Sequence, residues 1–362
     1  MKGNKGEWSE IYVLLKLLSE GKLYAGDDNL NILKNQYFPV IRILRTEEKN
    51  RNKNEFVFDD KIQIFVNGEK KREMDKSMFK EEGKFLLKQI KDKNNSGAFE
   101  ISRIEKFLNS IYCYKIKEPS IKKADIILDI QDIHTGYKLE TGFSIKSELG
   151  NPPTLLNAGK TTNFIYSVEC DNTFNVEETN AIYLERKGKK HVDVKKRLKN
   201  ISDLNASLEY CDMENKVFKN NLILIDSYMD KIIAQTLLYF YRDGISNCSD
   251  MVQRLKEDNP LRYGNIGSYE YKFKKFLSAI ALGMKPATEW DGIDEANGGY
   301  IIVTKQGDVV AFHIYNRDFF ENYLLKNTKY EVASTTRHDF GKVYSENYKN
   351  YIKLNLQIRF LK

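Results

Sequence analysis

Residues 123–147, KADIILDIQDIHTGYKLETGFSIKS, alternate apolar and polar side chains on either side of a Thr135-Gly136 turn signal. A period of two suits a strand with one face in a core, so this segment reads as a β-hairpin. On its first strand Asp125, Ile127, Asp129 and Gln131 share one face, and Ile126, Leu128 and Ile130 the other. On its second strand Gly142, Ser144 and Lys146 lie opposite Phe143 and Ile145. A two-residue loop at Thr135-Gly136 sets Asp125 opposite Lys146 and Ile127 opposite Ser144. A slip or a bulge would change that register.

An Asp and a Lys on the polar face of adjacent strands make an ordinary cross-strand ion pair. They are also the parts that phosphodiester hydrolysis requires. A carboxylate holds a hard cation, and an ammonium positions water and offsets developing negative charge. Gly142 and Ser144, being small, leave room for a phosphate to approach the strand.

A second constraint is the helix read over residues 7–20. Ile11, Leu14, Leu15 and Leu18 follow helical spacing, and Gly21 stops the run. At 100° per residue, Glu7 falls about 20° and Glu10 about 80° from Leu18. Both carboxylates therefore turn toward the apolar side, where a carboxylate needs a metal or a basic partner. Glu7 is also a first-turn residue favoured by the helix dipole.

Elsewhere the pattern alternates between strand and helix. YFPVIRIL (37–44), EFVFDD with KIQIFV (55–66), FIYSVE (164–169) and SLEYCDM (207–213) read as strands, with an Asn67-Gly68 turn after the second. Residues 77–91, 100–111, 217–242, MVQRLKEDN and YEYKFKKFLSAIALG read as helices. From Gly298, GGYIIVTKQGDVVAFHIY reads as a hairpin turning near Gln306-Gly307, followed by a short helix (317–326) and a last strand, YIKLNLQIRF (351–360). The expected class is mixed α/β (α+β), a central mixed sheet flanked by helices. A soft boundary near 240–245, at RDGISN (242–247), divides it into 1–240 and an α+β part, 241–362.

Several function classes drop out. No GxxxxGK[ST] motif occurs, which argues against an ATP-driven translocase, and no dinucleotide fingerprint stands out. Cys113, Cys170, Cys211 and Cys248 are scattered without a CxxC pair, so neither a structural zinc site nor a disulfide framework is expected. His134, His191, His313 and His338 have no evident nucleophile partner. No apolar run approaches the roughly 18 residues of a membrane span, and the start lacks a secretory h-region. A cytoplasmic protein is expected. The formal net charge of +7 fits a polyanion partner. The basic run RKGKKHVDVKKR (186–197) reads as a solvated loop or helix face, or as part of such a polyanion-binding surface.

GNKGEWSEIYVLLKLL (3–18), GFSIKSELGNPPTLLNAGKTTNFIYSV (142–168), GGYIIV (298–303), HIYNRDFF (313–320), RHDFGKVY (337–344) and IKLNLQIRF (352–360) resemble the HpaII-type restriction endonucleases, in order and over essentially the whole chain. The resemblance implies a PD-(D/E)xK restriction-endonuclease-like core in a bacterial, cytoplasmic enzyme. It further implies Mg²⁺-dependent double-strand cleavage at a short palindrome, CCGG, blocked by a companion cytosine methyltransferase. Carried over residue by residue, Asp125 takes the place of the motif's first Asp and Lys146 that of its Lys, with Ala124 where Pro is usual. Ser144 stands where an acid is expected, so the second metal ligand has to come from another position. Glu10, then Glu7, then Glu140 are the candidates to replace it. Asn157, Lys160, Thr161, Thr162 and Asn163, with Asn316, Arg317, Arg337 and His338 in the C-terminal part, are the candidate DNA contacts. Arginine reads guanine through paired hydrogen bonds; the competing expectation is an ion pair of either arginine with Asp318 or Asp339. A palindromic site implies a homodimer on DNA.

Overall fold

The structure, a computed structural model, describes residues 1–47, 52–94, 97–116, 124–133, 136–170, 174–186, 188–313 and 317–361. The chain forms two units, one of Met1–Pro153 with Asp294–Tyr323 and one of Thr154–Ile293 with Leu324–Leu361. The expected boundary at 240–245 falls within the second unit. RDGISN joins two helical runs there: Gly244 ends one with φ +80°, and Asn247 precedes the next, Cys248–Asp258.

In the first unit the opening helix runs from Lys5 to Glu20. Asn4 caps it by accepting from Glu7 N (3.1 Å), while the Glu7 carboxylate accepts from Asn4 N (2.8 Å). This reciprocal cap satisfies two otherwise orphaned amides. Gly21, at φ +66°, closes the other end. Trp8, Ile11, Leu14, Leu15 and Leu18 are buried, as are Tyr12, Val13 and Leu17, so the helix is enclosed on more than one face. It packs on the helix Lys76–Asp92, where Gly83 lacks a side chain: a Cβ there would sit 3.6 Å from Leu15 Cβ.

These helices cover a nine-stranded mixed sheet. Its order is Lys22–Gly26, Val309–His313, Gly299–Val303, Lys138–Ser147, Ile126–Gln131, Ile32–Glu47, Asn52–Phe58, Ile62–Val66 and Glu69–Met74. The long strand Ile32–Glu47 also pairs with Lys22–Gly26, so the first six strands close on themselves. A register shift between Val40 and Arg42 lets one strand serve both sides. Gly299–Val303 lies parallel to Lys138–Ser147, with Tyr300 beside Ser144 and Ile302 beside Lys146. Ile126, Leu128, Ile130, Phe143 and Ile145 join the helices in one apolar core. The alternation read in the sequence therefore assigned the buried face of the first strand correctly.

The second unit holds a four-stranded antiparallel sheet, ordered Ser207–Met213, Asn163–Glu169, Lys349–Asn355 and Val343–Glu346. A three-stranded sheet joins Thr154–Leu156, Ile358–Phe360 and Thr328–Tyr330. The expected last strand is thus split between two sheets. Tyrosines fill much of the interior and their hydroxyls find internal partners: Tyr166 on Ala234 O (2.7 Å), Tyr241 on Asn355 O (2.9 Å) and Tyr330 with Thr236 Oγ1 (2.8 Å). All four cysteines are free thiols. No described helix is long and apolar enough to cross a membrane.

Candidate active site

The hairpin register differs from the expected one. Ile126 lies opposite Phe143 and Ile127 opposite Gly142, a shift of two residues. The loop is longer than a Thr135-Gly136 turn: Asp132 N donates to Tyr137 O (3.0 Å) and Gly136 N to Asp132 O (2.8 Å). Thr135 itself lies outside the described residues. A shift of two preserves each residue's face. It moves Asp125 from Lys146 to Ser144, and Asp125 N donates to Phe143 O (2.8 Å) at the end of the ladder.

One hydroxyl then joins the acid to the base. Ser144 Oγ donates to Asp125 Oδ2 (3.0 Å) and accepts from Lys146 Nζ (2.8 Å). Ile145 N donates to the same carboxylate oxygen (2.7 Å). Lys146 Nζ stands 4.0 Å from Asp125 Oδ2, and the two side chains are only 22% and 21% exposed. The ammonium also lies 5.3 Å from the centroid of the Tyr300 ring. Burial, with the nearby Asp125 charge second, raises the Tyr300 phenol well above its ordinary pKa, so it stays neutral.

Gly142 does not leave open space for a phosphate. A Cβ there would come 2.8 Å from Ala124 Cβ and 3.4 Å from Glu295 O, and Gly142 N donates to Asn297 Oδ1 (2.8 Å). The small residue is needed by the packing of 295–297 against the strand.

The three candidate replacement acids have different settings. Glu7 is engaged in the helix cap. Glu140 is exposed, 4.0 Å from Arg42, which also binds Asp129 (2.7 Å) and Glu55 (2.8 Å). Six residues of strand separate Glu140 from Lys146, roughly 20 Å. Glu10 is half-buried and follows Ser9, whose Oγ donates to Ser147 Oγ (2.8 Å). That bond pins this turn of the helix against the end of the strand that carries Lys146. Among the described residues no group of three or more His, Cys, Asp or Glu is gathered as a metal cage. Mg²⁺ needs only one or two carboxylates, with water and phosphate completing its shell. Asp125, a hard oxygen donor open to solvent in part, fits such an ion.

The expected DNA contacts divide. Asn157 and Lys160 are exposed and Thr161 half-buried. Thr162 and Asn163 are buried and structural: Thr162 Oγ1 donates to Gly159 O (3.0 Å), and Asn163 Nδ2 donates to Glu214 Oε2 (2.7 Å) and His338 O (2.9 Å). Asn355 Nδ2 completes this knot on Asn163 Oδ1 (2.7 Å). Asn316 lies outside the described residues. Arg317 pairs with Glu321 (2.9 Å), one helical turn on, rather than with Asp318. Arg337 is exposed and in no ion pair among the described residues, while Asp339 stands 3.8 Å from Lys353. Burial, then the neighbouring Arg337 charge, lowers the pKa of His338. Of the basic run 186–197, Arg197 is fully buried. Its guanidinium donates to Gly341 O (2.7 Å), Asn180 O (2.5 Å) and Ile182 O (3.2 Å), holding the RHDFGK loop.

Sequence reasoning missed Tyr300 and Asn297. Alternation over GGYIIV shows that Tyr300 and Ile302 share a face, but nothing local names the strand beside them.

Asp125, immediately before one strand, and Lys146, on its neighbour, are thus joined by one hydroxyl in a mixed sheet. Comparison with known proteins gives the class. The type II restriction enzyme HpaII of Haemophilus parainfluenzae is 39% identical over 363 residues, covering 99% of this chain and 98% of that protein. The chain is accordingly a type II restriction enzyme, a site-specific deoxyribonuclease. The model of the HpaII restriction endonuclease family matches residues 4–360, and the chain belongs to that family. No solved structure matches it.

Proposed function

We propose that the protein makes Mg²⁺-dependent double-strand cuts in DNA at CCGG, through a PD-(D/E)xK-type core in which serine replaces the second acid. The observation that supports this most is the Asp125–Ser144–Lys146 chain of contacts. Asp125 and Glu10 are the carboxylates that would hold Mg²⁺, whose charge polarises the scissile phosphate and acidifies the attacking water. Lys146 supplies the ammonium that orients this water and offsets charge developing on the phosphoryl oxygens. Ser144 does not bind the ion; its hydroxyl keeps the carboxylate and ammonium in line. Asn157, Lys160, Thr161, Arg317, Arg337 and His338 are the DNA contacts in this reading, and Asn316 is a further one. Two protomers act on one palindrome, and a companion cytosine methyltransferase protects the host's sites in the cytoplasm.

The test is to incubate the protein with unmethylated phage DNA, in Mg²⁺ or in EDTA, and to sequence the ends. Discrete ends in Mg²⁺ alone, sharing CCGG, are expected. Ends sharing other bases would replace that site, and tight DNA binding without cleavage in Mg²⁺ or Mn²⁺ would replace the nuclease by a DNA-binding protein. Full cleavage by Glu10→Ala would remove Glu10 as the missing ligand.

A further inference from the structure

We infer that Tyr300 is a positioning residue for cleavage: its ring face holds the Lys146 ammonium in its catalytic place. The inference rests on the nuclease reading of Asp125 and Lys146. Lys146 has four rotatable side-chain bonds, and freezing them costs entropy that something must offset. Ser144 Oγ and the carbonyl of Ile145, at 2.8 and 3.3 Å from Nζ, direct the head from its own strand. Tyr300 does so from the neighbouring strand, with its ring centroid 5.3 Å from Nζ. An aromatic face attracts an ammonium most strongly where water is scarce, and it demands no particular N–H direction. The ammonium is thereby steadied without a further N–H being committed to the ring.

The ring is well placed for this. Tyr300 is 2% exposed and pairs in register with Ser144 on one side and Phe312 on the other. Phe320 packs against it with ring centroids 5.1 Å apart. A ring fixed by two strands and a buried aromatic cannot follow a wandering lysine, so the lysine settles on the ring.

The test uses Tyr300→Phe, which keeps the ring face, and Tyr300→Leu and Tyr300→Met, which remove it. Single-turnover cleavage of a CCGG duplex is read in Mg²⁺, duplex affinity with Ca²⁺ in place of Mg²⁺, and folding by circular dichroism. Tyr300→Phe should cleave within about twofold of the wild type. Tyr300→Leu and Tyr300→Met should cleave on the order of tenfold more slowly with unchanged affinity. If leucine prevents folding, methionine, whose unbranched side chain adapts to an irregular cavity, carries the comparison. Adding Tyr300→Met to Lys146→Gln should leave the residual rate unchanged, since the cation is already gone. Equal rates for the phenylalanine and methionine variants, a loss confined to affinity, or a further tenfold loss in the Lys146→Gln background would each overturn the inference. A wild-type protein that does not cleave would instead remove the nuclease reading beneath it.

Discussion

At the scale of residues, the site turns on one hydroxyl. A carboxylate at position 144 would stand beside Asp125 and repel it unless a cation lay between them. Serine avoids that repulsion and still accepts from Lys146. Asp125→Asn and Lys146→Ala are expected to slow cleavage at least about 100-fold, the loss typical when a group stabilising transition-state charge is removed. Duplex affinity measured in Ca²⁺ should survive Lys146→Ala; a parallel collapse of binding would make it a DNA anchor instead. Arg197 illustrates the opposite case, a charge that reads as a surface contact and is buried. Arg197→Met strands three carbonyls and should cost about 3–5 kcal/mol in urea unfolding. Lys196→Ala, next to it but exposed, should change stability by less than about 0.5 kcal/mol. Equal effects of the two would contradict the buried anchor.

At the scale of elements, turns set what the strands can do. The hairpin Gly299–Val303/Val309–His313 turns at Gly307, as Gln306-Gly307 in the sequence led one to expect. Gly307 has φ +96°, its carbonyl accepts from Tyr12 OH (2.6 Å), and a Cβ would fall 2.4 Å from Leu87 Cδ2. Gly68, at φ +83°, has nothing within 4 Å of such a Cβ. Gly68→Ala therefore bears backbone strain alone, about 1–2 kcal/mol. Gly307→Ala adds overpacking of about 1–3 kcal/mol to that strain. Chemical denaturation of both variants checks the difference, and equal losses would show that Leu87 moves aside freely.

At the scale of the whole molecule, the first unit is discontinuous in sequence. Residues 294–323 return to it and place Gly299–Val303 against the strand of Ser144 and Lys146. Chain position is therefore a poor guide to function: Tyr300, late in the sequence, lies beside a residue from the first half. On the proposed palindromic site the protein, with its net charge of +7, is expected to bind as a pair. Sedimentation with a palindromic CCGG duplex in Ca²⁺ is expected to give two protomers per duplex. A saturated complex of one protomer would set the dimer aside. Affinity should also fall steeply with salt as counterions are released.

Local periodicity and end signals were enough to locate the first helix and its Gly21 stop, the strands of the 123–147 hairpin and their faces, and the glycine turns at Gly68 and Gly307. Each of these depends on residues within a turn or a pleat of one another. The pairing of Asp125 with Ser144 depended on a loop whose length composition did not reveal. Thr162, Asn163 and Arg197 carry the same polar groups whether they meet DNA or the protein's own backbone. Only the packed chain, by desolvating them, required internal partners. The neighbour of the strand that carries Ser144 and Lys146 was likewise decided by tertiary structure, because strand pairing is settled by which apolar faces can be buried together, and that is a property of distant segments.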